Sequence, residues 1–389
     1  MAQEIAYVII TPYSLHKSRT GGILARLITR TGLELVGARM FAPSSELVNK
    51  YSDVIVSADD PQDRHIQELI RSYILKNLAP DSKTGRRRRV MMLLFQGEDA
   101  VRKVRSVVGN ITAERSGGET IRDTYGDLIL DDHGQVRYFE PAVLAPPNVQ
   151  EAQLKLRLWS QYSDADGGVM ENTLVHPAGE APQRTLVLIK PDNFRFPTGR
   201  PGNVIDFFSR TGLYIVAIKV HRMSVAEAME FYGPVREVLR TRLKDVVGSR
   251  ARAALEKDFG FKVPPAEEQK LGEILGPVFG DNQFENIVRF MSGRTPSECT
   301  ADQRQQPGTE KCIALYYEGP NAVQKIRDVL GPTDPSKAPP GSIRREFGQT
   351  VMVNAAHASD SVENAQREVG IIKIGDNSFK QVVESFYGA

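Results

Sequence analysis

The feature that most constrains this 389-residue chain is that it is written twice. Residues 7–40 run as an apolar strand, Thr11-Pro12, an amphipathic stretch, Arg30-Thr31-Gly32-Leu33 and an alternating strand. Residues 185–220 repeat that order around Lys190-Pro191 and Arg210-Thr211-Gly212-Leu213, with Thr31 and Thr211 separated by 180 positions. A second pair of blocks, LFQGEDAVRKVRSVVG at 94–109 and YYEGPNAVQKIRDVLG at 316–331, keeps an offset of 222 that continues through Ile121-Arg122 and Ile343-Arg344. One offset held through a helix and a loop marks a duplicated domain. The change from 180 to 222 places about 42 extra residues inside the second copy.

Each copy spells β-α-β, helical material, then β-α-β. In the second copy, apolar patterning predicts strands at 185–190, 213–220, 311–318 and 349–353. Val204, Ile205 and Phe208, and later Val323, Ile326 and Leu330, have helical spacing, and Gly212 sits where a helix-ending glycine belongs. The order specifies an α/β (α+β) chain of two ferredoxin-like β-α-β-β-α-β domains with four-stranded antiparallel sheets. We read 1–159 as the first domain, the polar and aperiodic 160–183 as a linker, and 184–389 as the second domain. The second carries a helical insertion at about 236–280, broken at Pro264-Pro265, and an exposed loop at 294–310.

Composition removes several functional classes. Fifty basic against 48 acidic side chains give a net charge of +2, which argues against a nucleic-acid coat protein. Cys299 and Cys312 are the only cysteines, too few for a disulfide scaffold or a thiolate zinc cluster. No apolar run approaches the roughly 18–20 residues of a membrane span, and Met1-Ala2-Gln3-Glu4 does not begin a secretory leader. A soluble, cytoplasmic protein with no membrane partner is the expectation. The run Arg86–Arg89 precedes an apolar strand at 90–95, and with no aromatic interleaved it reads as a solvated loop end.

The chemistry gathers in the second copy. Asn354, His357, Ser359 and Asp360 fall between an expected strand and a helix that begins near Ser361, with Lys190 at a strand end, Arg327 on a helix, and Thr333 and Arg344 in the loop beyond. A histidine, three cations and several hydroxyl groups suit phosphoryl transfer, which needs positioning and positive charge and accepts histidine as a covalent nucleophile. Each residue also has an ordinary reading. A histidine beside a helix start is commonly a satisfied or surface group, Arg327 and Arg344 fit surface ion pairs, and Lys190 can simply end a strand. No Gly-Lys dipeptide occurs, so a Walker A loop is excluded.

The ordered set LIKPD at 188–192, EFY at 230–232, the Arg327 helix, GPTDPSKAPPGSIRREF at 331–347 and NAAHASDSVENAQREVG at 354–370 resembles the nucleoside diphosphate kinases. Asn354, His357, Ser359 and Asp360 match that family's Asn-x-x-His-Gly-Ser-Asp signature, with Ala358 in place of the glycine. The resemblance implies that His357 is the phosphorylated nucleophile. It implies that Lys190, Tyr232, Arg327, Thr333, Arg344 and Asn354 hold the nucleotide, and that Ser359 and Glu368 support the histidine. It further implies nucleoside tri- and diphosphates as substrates, Mg2+ held through the nucleotide phosphates with no protein ligand, ping-pong transfer, and homo-oligomers. The base of a bound nucleotide would rest on an aromatic side chain, where this sequence has Gln283 with Phe284 beside it. The alternative is a nucleotide-binding regulatory or scaffold protein with little turnover.

The first copy lacks the central pieces. Thr11 stands at the place of Lys190, while Arg105 and Arg122 match Arg327 and Arg344. NVQEAQ at 148–153 answers SVENAQ at 361–366, an offset of 213 that puts Leu144 opposite His357. The intervening residues read as a hairpin with His133 at its turn, a tip position with no catalytic partners. The first copy is expected to be a non-catalytic partner domain.

Overall fold

Two uninterrupted apolar runs become the central strands of two sheets. They are β1 (Gln3–Ile10) and β7 (Gln183–Ile189), and Ile5–Ile10 and Leu186–Ile189 are fully buried. A strand covered on both faces has no need of alternation. The other strands of the first half are β2 (Glu34–Phe41), β3 (Val90–Glu98), β4 (Asp127–Leu130), β5 (Val136–Glu140) and β6 (Val143–Leu144). The second half adds β8 (Tyr214–His221), β9 (Cys312–Gly319) and β10 (Ala356–Ala358). The computed structural model describes residues 3–114, 117–177, 179 and 181–388.

The sheet orders are β2-β3-β1-β6 and β10-β7-β9-β8, which is one four-stranded order met twice. β1 is antiparallel to β3 and β6, as β7 is to β9 and β10. This is the ferredoxin-like architecture that the repeat specifies. The register carries the duplication down to single residues, with Leu144 opposite Ile9 in one sheet and His357 opposite Leu188 in the other. β4 and β5 form a separate two-stranded hairpin whose turn holds the exposed His133.

The expected strand at 349–353 does not form. Those residues make a local turn in which the amides of Gln349 and Thr350 donate to the Val353 carbonyl, and Val351 is left exposed. The sheet is completed instead by Ala356–Ala358, an Ala-His-Ala segment that gives no hydrophobic signal. The loop expected at 294–310 contains short helical turns at Pro296–Glu298 and Ala301–Gln305.

The two copies meet through glycine. Helix Thr20–Thr31 packs against helix Arg200–Ser209, and a Cβ on Gly21 would lie 2.3 Å from the Gly202 carbonyl oxygen. The reciprocal Cβ on Gly202 would lie 2.2 Å from the Gly21 oxygen, so only glycine permits this approach. Helix Ser378–Tyr387, at the end of the second half, delivers Phe379 and Val383 into the first copy's core, against Phe41 and Trp159. No described helix is long and apolar enough to cross a membrane.

Residues 221–312, between β8 and β9, form a second compact unit that is helical. A capping box between Ser224 and Glu227 starts helix Val225–Phe231, and Pro265 opens the 28-residue helix Pro265–Ser292. Along that long helix Gly272, Gly276 and Gly280 recur every four residues, so they share one face. Added Cβ atoms there would meet Lys244 and Arg240 at 2.6–2.7 Å, so these glycines let the shorter helices Gly233–Arg242 and Lys244–Phe259 lie close.

Candidate active site

His357 sits in the middle of the edge strand β10, held in register by β7. Its Nε2 is 3.0 Å from Glu368 Oε2, on helix Val362–Ile372. The Ser359 hydroxyl donates to the same carboxylate oxygen at 2.6 Å, and the Ser359 amide is tied to the Leu186 carbonyl. Glu368 and Ser359 are buried while His357 is partly exposed, so a fixed carboxylate orients a reachable ring. A carboxylate oxygen accepts, so Nε2 is the ring nitrogen placed to donate, and in that tautomer Nδ1 carries the lone pair.

Lys190 directly follows β7 and is buried, its ammonium donating to Asn354 Oδ1 at 2.9 Å and to the Met352 carbonyl at 2.6 Å. Burial pulls that ammonium down to about 8; Asp192 opposes the shift and Arg344 adds to it. Asn354 spends its amide hydrogens on the carbonyls of Val351 and Thr333, so it ties the lysine to the loop after helix Ala322–Leu330. Arg344 donates to the carbonyls of Gly331 and of Ala356, the residue before His357. Lys190, Asn354, Arg344, His357, Ser359, Glu368 and the Thr333 backbone are therefore joined through β10 and its neighbouring loop. Arg327 is exposed on the last turn of helix Ala322–Leu330, and the Thr333 side chain is exposed in the loop beyond it. Tyr232 belongs to the helical unit, where it caps helix Val225–Phe231 with its ring 4.9 Å from Phe231. Phe284, in the same unit, is buried, with the Arg236 guanidinium 5.6 Å from its ring centre.

Two supporting residues escape a sequence reading. Ala355 has φ +71°, a left-handed conformation rare outside glycine, asparagine and aspartate. It aims its carbonyl at the Lys190 amide and the Asn193 side chain. Asn193 also bonds the Lys190 carbonyl, and Asp192 pairs with Arg200 at 2.8 Å, which pins the loop after β7. The Lys-Pro-Asp-Asn string carried the signal for the second of these, since Asp and Asn after proline are turn formers. Nothing in the sequence marks Ala355.

The first copy preserves this frame and changes its contents. Ala142 matches Ala355, with φ +62° and its carbonyl on the Thr11 amide. Arg122 donates to Gly109 and Val143 as Arg344 does to Gly331 and Ala356, and burial pulls its guanidinium down to about 10. Where the second copy has its lysine network, the first has Glu140, accepting from Thr11 at 2.9 Å and from Tyr73 at 2.7 Å. Burial raises the Glu140 carboxyl above its ordinary value. The pocket beside Arg122 and Glu140 measures about 30 Å³, room for a water and not for a nucleotide. Lys155 takes the position of Glu368 and pairs with Glu151 at 2.8 Å.

The family described as "Nucleoside diphosphate kinase" matches residues 4–135 and 302–374. A nucleoside diphosphate kinase of Wolinella succinogenes is 31% identical over 193 residues, which are 50% of this chain and 96% of that protein. One of Staphylothermus marinus is 30% identical over 190 residues, 49% of this chain and 92% of its own. One of Campylobacter hominis is 29% identical over 193 residues, 50% and 96% respectively. The chain belongs to the nucleoside diphosphate kinase family. It is a tandem member, with family sequence in both copies and a first copy that has lost the histidine and the lysine.

Proposed function

We propose that residues 184–389 form a catalytic domain that moves the γ-phosphoryl group from a nucleoside triphosphate to a nucleoside diphosphate through phosphorylated His357. In this reading residues 1–159 are its non-catalytic partner and 160–183 the connection. The observation that carries the proposal is the His357–Glu368–Ser359 chain beside two cationic side chains, Lys190 and Arg344, tied to the same loop and strand.

The neutral ring attacks the γ-phosphorus with its Nδ1 lone pair. The bond to the bridging oxygen breaks, the diphosphate leaves with that electron pair, and the positive charge on the ring is met by Glu368. A second diphosphate then attacks the phosphohistidine through its terminal oxygen and restores the neutral ring. One cation set serves both half-reactions, because each passes through similarly spread negative charge. Lys190, Arg344 and Asn354 would hold phosphates, joined by Arg327 and Thr333. The side chains here are mainly cationic and amide, donors suited to phosphate oxygens, so Mg2+ would be carried by the nucleotide and would screen its β–γ charge.

The deciding experiment is a split reaction. The purified chain is incubated with γ-labelled ATP and magnesium, stripped of nucleotide, and chased with GDP, CDP or UDP. The label is expected on protein first and on the corresponding triphosphate after the chase. Label that never reaches protein, or that only water removes, would defeat the proposal.

The buried lysine sets a pH dependence. A base whose value is lowered to about 8 loses its charge as pH rises through that region, so kcat/KM should fall on an alkaline limb near pH 8. The limb in kcat should lie higher, since bound phosphate favours the ammonium. Lys190→Arg should push the limb above pH 10. A wild-type kcat/KM profile flat to pH 9.5 would exclude Lys190 as the phosphate-binding cation.

A further inference from the structure

The run Arg86–Arg89 does not dissolve into solvent. It borders a cleft of about 460 Å³, within the roughly 300–1,000 Å³ range of small-molecule sites. None of the His357-site residues lines this cleft. It is lined by the four arginines and by the apolar and aromatic side chains of Leu15, Leu174 and Tyr214, with Asp81 and His16 among its polar residues. The aromatic that the local sequence lacks arrives from the second copy: the Arg89 guanidinium lies 5.3 Å from the Tyr214 ring centre.

The charges on the arginine wall are unequally met. Arg87 pairs with Asp166 at 2.8 Å, and Arg88 donates to the Lys76 carbonyl with Asp81 at 3.8 Å. Arg89 donates to the Ile215 carbonyl, and its burial pulls it down to about 10, with Tyr214 and Glu318 opposing. Arg86 bonds Thr84 and Asp81 through its backbone, but among the described residues its guanidinium has no ion-pair or hydrogen-bond partner. Four cations against Asp81 and Asp166 leave an excess of positive charge beside Leu15, Leu174 and Tyr214. A walled cleft lined by one sign of charge concentrates the opposite ion, and arginine forks match phosphate oxygens in pairs.

We propose that this cleft is a second, non-catalytic nucleotide site, which takes a nucleoside di- or triphosphate with its phosphates on Arg86 and Arg88 and its base against Tyr214 and Leu174. The volume suits one nucleotide, and a single aromatic offers one base a stacking surface, which favours a mononucleotide over a strand.

The test counts ADP on the full chain by equilibrium dialysis. Wild type should bind two ADP per chain. Arg86→Glu should bind one, with its second affinity weakened about tenfold or more, while phosphoryl exchange and the melting temperature stay at wild-type levels. Arg86→Gln should give a smaller loss of the same kind. Pyrophosphate should displace the Arg86-dependent ADP less tightly than ADP itself. One ADP per chain in wild type, or two in both wild type and Arg86→Glu, overturns the proposal. Equal affinity for pyrophosphate overturns the nucleotide as occupant, and so does displacement by single-stranded RNA at lower concentration than ADP. Exchange activity measured on the same preparations reports separately on the His357 site.

Discussion

His357→Gln should leave no acid-labile phosphoryl group on the protein after incubation with γ-labelled ATP, and exchange should fall by at least roughly 10⁴-fold. Glutamine keeps a polar side chain on β10 but has no nucleophilic lone pair of comparable strength, so the two-step route loses its first step. Other single residues do not carry a penalty of that size. Arg344→Ala should cost about 10²-fold, the scale of removing one charge-stabilising donor. The fold should survive His357→Gln, because the ring is partly exposed and its fixed neighbours, Glu368 and Ser359, remain bonded to each other. Equal labelling of wild type and variant would move the nucleophile elsewhere. Of the five other histidines, His133 lies on a hairpin turn, and His176 and His221 are paired with Glu318 and Glu227.

Duplication makes most of the architecture legible in the sequence. Two copies in one chain let each strand be checked against its partner, and the offsets of 180, 222 and 213 reappear as matched registers, loops and helix starts. The reading failed where hydrophobicity is a poor guide. Val351 and Val353 look like a strand yet lie in a turn, whereas Ala356–Ala358 pair with β7 through backbone hydrogen bonds that alanine cannot advertise. The histidine was therefore expected after a strand and lies within one. That difference matters chemically, because a ladder position fixes the ring more firmly than a loop would. Arg86–Arg89 shows a second kind of failure. No aromatic interleaves with that run, because Tyr214 is more than a hundred residues away and meets Arg89 only through the fold. The emptied site of the first copy was legible as two losses, Thr11 and Leu144. Its replacement by a hydrogen-bonded Glu140 was not, because Glu140 occupies the position of Val353, outside any family motif.

Ending the chain after Ile372 should abolish cooperative folding of the first copy, although every deleted residue belongs to the second half of the sequence. Helix Ser378–Tyr387 buries Phe379 and Val383 among Phe41, Tyr51 and Trp159, with Phe379 5.4 Å from Phe41 in an edge-to-face arrangement. Polar ties hold it there. Arg39 donates to the carbonyls of Gly375 and Asp376, Asn377 to Ser163 and Asp164, and Lys380 pairs with Asp164 at 2.9 Å. Deleting the helix would open the apolar face of a small domain to water and strand the buried Arg39 among lost acceptors, and a domain of this size has little stability in reserve. Phe379→Ala is the graded version, with an expected loss of about 3–5 kcal/mol from transfer and cavity terms together. Residues 1–160 alone should for the same reason be insoluble or molten. Adding the 373–388 segment as a peptide should restore near-ultraviolet circular dichroism from Trp159. A truncated chain that melts cooperatively at the wild-type temperature would show the helix to be dispensable. Loss of cooperative folding would make the fusion obligatory, with the second half of the chain supplying the last piece of the first copy's core.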